Sequence, residues 1–342
     1  MGDSAKRRLA LGAALLFVLG GPMPVNGPAT ADGRPDQPIG SLTSPAAART
    51  ASTSTTRRWS GSVNTNDKSA VGTAYLRSYA SGLVVPPGWT GNDNRCLAGD
   101  NVAASRAATL RALNFARSLA GLAPVTFSST LNRRSQLTAL MMSANRSLSH
   151  SPPRSWRCWT ASGAANAGRS NLALSYPAVT SAGVITQYLD DAGSSNRPAG
   201  HRRWLLNPFA TQMGSGSTIN ANAMTVIGPT SSSRPNPAYT SWPTSGWFPR
   251  TLEPAGRWSL STGNRAVSFR YATVRVYRNG TLLKTVKHPV EDGYAMPTLV
   301  WQVPTSLAES GTFRVVVSGI RRSGTTKRTS RTYYVRMFTP GS

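Results

Sequence analysis

Between residues 101 and 252 the chain carries two acidic side chains, Asp190 and Asp191, and two histidines, His150 and His201. No glutamate precedes Glu253. General acid–base catalysis and hard-metal binding both need groups of these kinds. Chemistry in this half of the chain therefore rests on four positions. Three of them fall within the stretch from Asp190 to Trp204, which ends Gly200-His201-Arg202-Arg203-Trp204. Glycine at 200 permits close backbone approach, which places His201 at the rim of a cleft. His150 precedes Ser151-Pro152-Pro153 and follows a helical stretch; a helix-terminal polar role suits it as well as a cleft role. For Asp190 and Asp191, ion pairing with Arg202 and Arg203 explains the residues as well as ligation does. Ser170 with either histidine and Asp191 could form a nucleophile, base and orienting acid. No Gly-x-Ser-x-Gly elbow accompanies it. Met213-Gly214-Ser215-Gly216-Ser217 resembles one only superficially and reads as a glycine-rich bend before a strand. His288, beside Pro289, reads as a surface residue.

The N-terminus has the features of a secretion signal over residues 1–31. Lys6-Arg7-Arg8 is followed by a short apolar run from Leu9 to Gly21 and by Ala29-Thr30-Ala31, a small-x-small cleavage site. Export gives the two cysteines, Cys96 and Cys158, an oxidising setting in which an even count implies a disulfide. The closed loop of about 63 residues is worth roughly 4 kcal/mol in the loop-entropy account. The spacing does not suit a zinc site, where cysteines come in close pairs.

The formal charge is +26, and removing residues 1–31 leaves +24 with 11 acidic residues. Only five residues are lysine, so the charge is nearly all arginine. Such a surface favours anionic partners. For an exported chain these are anionic envelope polymers or lipids, with no dedicated nucleic-acid binding. An arginine-, alanine-, glycine- and proline-rich usage set by genome composition accounts for the charge equally well. A monomer is expected.

The elements that must position these residues follow from composition and period. Residues 32–72 are rich in Ser, Thr, Ala, Pro and Arg and read as a disordered stalk. From 73 to 230 the reading is helices with a few strands, an α+β layered domain. Asp100-Asn101 caps a helix over 102–120, ended by Gly121. Ser128 or Ser129 caps a second helix, and a third runs from Val179 to about Asp190. Ser151–Asn171 reads as loop, and Met224–Gly228 as a short buried strand. Residues 229–252 read as connector. Over 231–342 alternating apolar residues, an Asn279-Gly280 hairpin turn and recurring turn signals point to a small all-β sandwich of immunoglobulin type.

Five stretches in order carry a family resemblance. They are Leu113-Asn114 through Gly121-Leu122-Ala123-Pro124, Leu131 to Gln136, Leu148-Ser149-His150-Ser151, Gly168-Arg169-Ser170-Asn171-Leu172, and Gly200-His201-Arg202-Arg203-Trp204-Leu205-Leu206-Asn207-Pro208. Residues 105–217 thereby resemble the CAP superfamily, shared by cysteine-rich secretory, antigen-five and pathogenesis-related proteins. The form is the bacterial secreted one with a C-terminal β domain. The resemblance implies an α-β-α sandwich with a large cleft, in which many members converge two histidines and two glutamates able to hold a divalent metal. Carried over, His150 and His201 match the histidines, Ser170 stands at the first glutamate, and Asp191 or Asp190 stands near the second. Asn171 and Arg202 lie in the same motifs and are expected at the cleft. A hydroxyl in place of a carboxylate implies at most weak zinc binding. The expected role is a secreted, non-catalytic protein holding a lipid or glycan in its cleft. A metal-dependent or serine hydrolase and an adhesin-like structural protein are the alternatives.

Overall fold

The computed structural model describes residues 57–341 apart from Glu309. The expected signal segment and most of the expected stalk lie outside these residues. The stalk reading does not hold up to residue 72. Trp59 N–H donates to Gly121 O, Val63 N–H to Ser118 Oγ, and helix α1 (Lys68–Ser78) is capped by Asp67 accepting from Ala70 N–H. Just beyond residue 72, Tyr75 and Tyr79 stack on each other and meet Phe115 of the next helix edge-on and tilted. A short segment poor in aliphatics thus orders through backbone bonds to the end of the next helix and a capped helix of its own.

Helix α2 (Ala103–Leu119) is built on alanines, the best helix formers. Its end forms a paired turn in which Leu122 N–H donates to Arg117 O and Gly121 N–H to Ser118 O. Gly121 sits at φ +73, as such a stop requires. The expected Asp100-Asn101 cap is not used. Val102 holds the cap position, while the Asn101 amide donates to Pro87 O and Ser217 O. Strand β1 (Thr126–Phe127), α3 (Ser129–Asn145), α4 (Ala161–Ala167) and β2 (Ser170–Leu174) follow. Helix α4 lies inside the stretch read as loop; its small residues pack flat against Thr138 and Met141 of α3. Helix α5 (Gly183–Asp190), α6 (Gly200–Leu205), β3 (Gln212–Ser217) and β4 (Ala221–Thr225) complete this part.

The strand order is β1-β3-β4-β2, with β1 parallel to β3 and the rest antiparallel. Residues alternate between the faces. Ala221, Ala223 and Leu172 pack with Ala139, Met141 and Met142 of α3. Met213, Met224 and Ala173 join α2 and α5. The layers are therefore helix, sheet, helix. The glycine-rich run is the strand β3 itself rather than a bend before it. A Cβ on Gly214 would lie 2.4 Å from Leu131 carbon, and one on Gly216 2.3 Å from Gln136 nitrogen. Glycine is what lets α3 lie directly on the strand.

The remainder is all-β apart from α7 (Thr305–Ala308). It comprises β5 (Thr240–Trp242), β6 (Gly246–Pro249), β7 (Arg257–Ser261), β8 (Val267–Ser268), β9 (Thr273–Arg278), β10 (Thr281–Leu282), β11 (Val286–Lys287), β12 (Thr298–Gln302), β13 (Gly311–Arg322) and β14 (Arg328–Phe338). Strands β5 and β6 fall in the expected connector. One sheet has the order β10-β9-β13-β14-β6 with β8 beside β13; the other is β11-β12-β7-β5. Asn279 and Gly280 both take positive φ at the β9–β10 turn, as the dipeptide predicts. The two sheets bury Trp258 against Phe313 and Trp242 against Phe248. One apolar cluster runs from α2 and α5 into both sheets. Among the described residues no helix is long and apolar enough to cross a membrane.

Candidate functional site

Helix α5 ends where Asp191 turns left-handed at φ +49. That turn swings the Asp191 carboxylate onto the start of α6. Oδ2 accepts from Arg202 N–H at 2.9 Å, and Oδ1 accepts from His201 N–H at 3.2 Å and from His201 Nδ1 at 2.7 Å. The carboxylate thus caps a helix supplied from ten residues away and satisfies donors that otherwise have no intrahelical partner. It also fixes the ring. A carboxylate can only accept, so Nδ1 carries the proton and Nε2 is the basic nitrogen. Nε2 makes no hydrogen bond among the described residues, and the His201 side chain is 22% exposed while that of Asp191 is fully buried. The ring stacks on Tyr188 at 5.5 Å. Tyr188 is anchored through its hydroxyl, which donates to Asn222 Oδ1 at 2.8 Å. Burial pushes the Tyr188 hydroxyl well above its ordinary pKa, so it remains a donor. Asn171, on β2, donates from Nδ2 to His201 O at 3.1 Å. The arrangement is an oriented imidazole at the edge of the sheet, held by Asp191, Tyr188 and Asn171.

The other expected residues are placed elsewhere. Ser170 faces α3 and α4, one residue out of phase with Asn171. Its hydroxyl donates to Asn166 O at 2.8 Å and accepts from Asn166 Nδ2 at 3.1 Å. Thr225 and Ser135 complete that buried network. His150 Nδ1 lies 3.0 Å from Ala167 O, at the end of α4. Asp190 does not share in the His201 contact. Burial pushes its carboxyl up to about 7, against the pull of Arg202, with Glu253 and Asp191 adding to the rise. Arg202, expected at the cleft, is 1% exposed. Its guanidinium donates to Leu189 O, Asp190 O, Arg257 O and Ser259 Oγ. It is a strut between α6 and β7, and burial lowers its pKa to about 10. Arg203 is likewise buried, donating to Met296 O and Glu291 O and lying over Tyr294. Neither arginine pairs with Asp190 or Asp191 through a side-chain ion pair among the described residues. Sequence reasoning missed Tyr188, Asn222 and Arg257. Only Tyr188 left a signal, one helical turn before Asp191 on the same face.

The donor set does not fit the metal tetrad that the resemblance implies. Position 170 offers a hydroxyl already held by Asn166, and Asp191 is occupied by His201 and two backbone donors. Among the described residues no three His, Cys, Asp or Glu side chains come together as a metal site.

Cys96 and Cys158 are bonded. The bridge ties the hairpin closed by Asn92 and Leu97 to the loop after His150. Beside α1 and α2 lies a groove of about 440 Å³, lined by Trp59, Val63, Leu110 and Phe115, with Arg77 and Arg111 among its residues.

No curated protein matches the chain. Among solved structures, PcoC, a methionine-rich copper resistance protein from Escherichia coli, is similar at 14% identity with a TM-score of 0.23, over 29% of this chain and 93% of its own. Residues 110–227 match the family model described as CAP, Cysteine-rich secretory protein family, a segment that contains α3 to α6, the whole four-stranded sheet and the Asp191–His201 pair. The chain therefore contains a CAP domain over that segment, about a third of its length.

Proposed function

We propose that this is an extracellular, non-catalytic CAP-domain protein that holds a lipid or glycan of the cell envelope, with an immunoglobulin-like β region behind it and anionic envelope polymers or lipids as partners. One observation carries the reading: Ser170 and the histidine oriented by a carboxylate, His201, are held apart. Ser170 is a buried network hydroxyl on the α3 face, whereas the oriented base, His201, lies by α5 and α6. Nucleophilic catalysis requires the base within hydrogen-bond reach of the nucleophile. The groove by α1 and α2 supports an apolar ligand. Its volume of about 440 Å³ falls within the range of small-molecule sites. Arginine side chains at 77 and 111 suit an anionic end group. The disulfide suits export.

The test is incubation of the protein from residue 32 onward with a lipid and glycan extract, followed by mass spectrometry of what co-elutes. An apolar or amphiphilic species at a fixed stoichiometry supports the reading. Recovery of the protein alone from every extract would remove it.

A hydrolase is the second reading, and the Asp191–His201 geometry favours it. A buried carboxylate that fixes a histidine's tautomer is how general bases are positioned. A water held at Nε2, rather than Ser170, would then be the nucleophile. Zinc at His150 and His201 would be weak, for want of carboxylate ligands.

A further inference from the structure

The outer face of the six-stranded sheet is rich in arginine. Strands β6, β8, β9, β10, β13 and β14 contain no Asp or Glu and eight arginines. Pairing registers place three of these in a line. Arg314 on β13 lies two residues from Val316, which pairs with Arg275 on β9, and two residues from Thr312, which pairs with Arg336 on β14. Arg275, Arg314 and Arg336 are therefore successive diagonal neighbours, at about 7–8 Å per step. All three are exposed. Aromatic rings fill the positions between them. Arg314 is flanked by Tyr277 on one strand and Tyr334 on the other, and Arg336 sits opposite Trp247. The guanidinium of Arg314 lies 4.0 Å from the Tyr277 ring centroid, and that of Arg336 5.6 Å from Trp247. Arg321 over Tyr271 extends the same motif to the far edge. Neither Arg275, Arg314 nor Arg336 makes an ion pair among the described residues.

A guanidinium held against a ring loses side-chain freedom, and its N–H groups can donate to two oxygens at once. Arg314 and Arg336 are thus restrained oxyanion forks, Arg275 continues their row, and the strands themselves carry no carboxylate. We propose that it binds a linear phosphodiester polymer with a polyol backbone, seated along the Arg275–Arg314–Arg336 diagonal. A phosphodiester offers two free oxygens per charge, the geometry a guanidinium fork matches. Its flexible repeat can set successive phosphates over neighbouring arginines, which carboxylates spaced by rigid sugar rings cannot do. Single-stranded nucleic acid fits less well. Base stacking needs open ring faces; cations lie over Tyr277, Trp247 and Tyr271, and Tyr334 is the exposed ring beside Arg314 with none over it among the described residues. This surface is separate from the Asp191–His201 pair, so the proposal stands whether or not that site binds a ligand.

The experiment titrates the protein from residue 32 onward with poly(glycerol phosphate) in 50–200 mM salt. It compares wild type with Arg275→Gln/Arg314→Gln/Arg336→Gln and with Arg95→Gln/Arg133→Gln/Arg134→Gln, an equal charge loss at exposed sites elsewhere. The sheet variant should bind at least about tenfold more weakly, with a log–log salt slope shallower by about 2, while the second variant stays within about twofold of wild type. Arg314→Lys keeps the charge but not the fork, and should weaken binding several-fold, a readout that serves if the triple variant misfolds. Equal losses in both triple variants would reduce the effect to diffuse charge and overturn the assignment. Tighter binding of oligothymidylate than of the polyol phosphate would also overturn it and make this a nucleic-acid face.

Discussion

At the scale of single residues, the candidate site turns on two adjacent aspartates with opposite surroundings. Asp191 meets three donors at the start of α6, so its charge is compensated where it is buried. Asp190 is half-buried with only the pull of Arg202 to offset its desolvation, and its carboxyl rises to about 7. The native state therefore favours protonated Asp190. Stability from this group is fully present below the ordinary carboxyl pKa of about 3.9 and is lost as pH rises through about 7. Asp190→Asn should remove that loss. Its stability relative to wild type should grow by on the order of 2 kcal/mol between pH 5 and pH 8. Denaturant melts at the two pH values check it. A pH-independent difference would mean the carboxyl is ionised in the fold.

At the scale of elements, the helix α3 and strand β3 contact depends on absent side chains. Gly216→Val would drive a branched side chain into Gln136 backbone and should destabilise the fold by about 3 kcal/mol or more. Thermal unfolding measures it, and a shift within error would show that α3 can lift off the sheet. The disulfide makes a second test at this scale. Replacing Cys96 and Cys158 by serine should cost roughly 4 kcal/mol, read from the shift of the urea midpoint. The sequence made part of this level legible. Helices α2 and α3 were readable because their apolar spacing and, for α2, its alanines and the Gly121 stop are local, and the Asn279-Gly280 turn because its backbone demand is local. Helix α4 was not, since Gly163, Ala164 and Ala167 look like loop residues until α3 is laid beside them. The glycine-rich strand β3 was not either, since a strand that carries a helix directly has the composition of a bend. At the site, His201 and Asp191 could be named from residue types and motif spacing, but their pairing could not, and His150 lies apart from them at the end of α4. Ser170 was misplaced because strand alternation sends 170 and 171 to opposite faces, which a motif match does not show.

At the scale of the whole molecule, buried arginines join the helical layers to the β region. Arg202 reaches Arg257 O and Ser259 Oγ, Arg203 reaches Met296 O and Glu291 O, and Arg257 returns to Gly193 O. The apolar cluster is shared across the same boundary. Their charge is spent on backbone carbonyls inside the molecule, so net charge overstates what the surface offers. Arg202→Met leaves those acceptors without donors and should cost about 3 kcal/mol or more. Calorimetry should show helical and β regions still melting together but at lower temperature. Two separate transitions in the wild-type protein would contradict a shared core.

The central claim is that the oriented His201 belongs to a binding protein and not to a hydrolase. The most direct measurement offers the wild-type protein, His201→Ala and Asp191→Asn a panel of ester, peptide and glycan substrates, with and without zinc. The account predicts no turnover above buffer in any of the three, with wild type retaining whatever envelope ligand co-elutes. Turnover by wild type that disappears in His201→Ala would contradict it and assign His201 as the base.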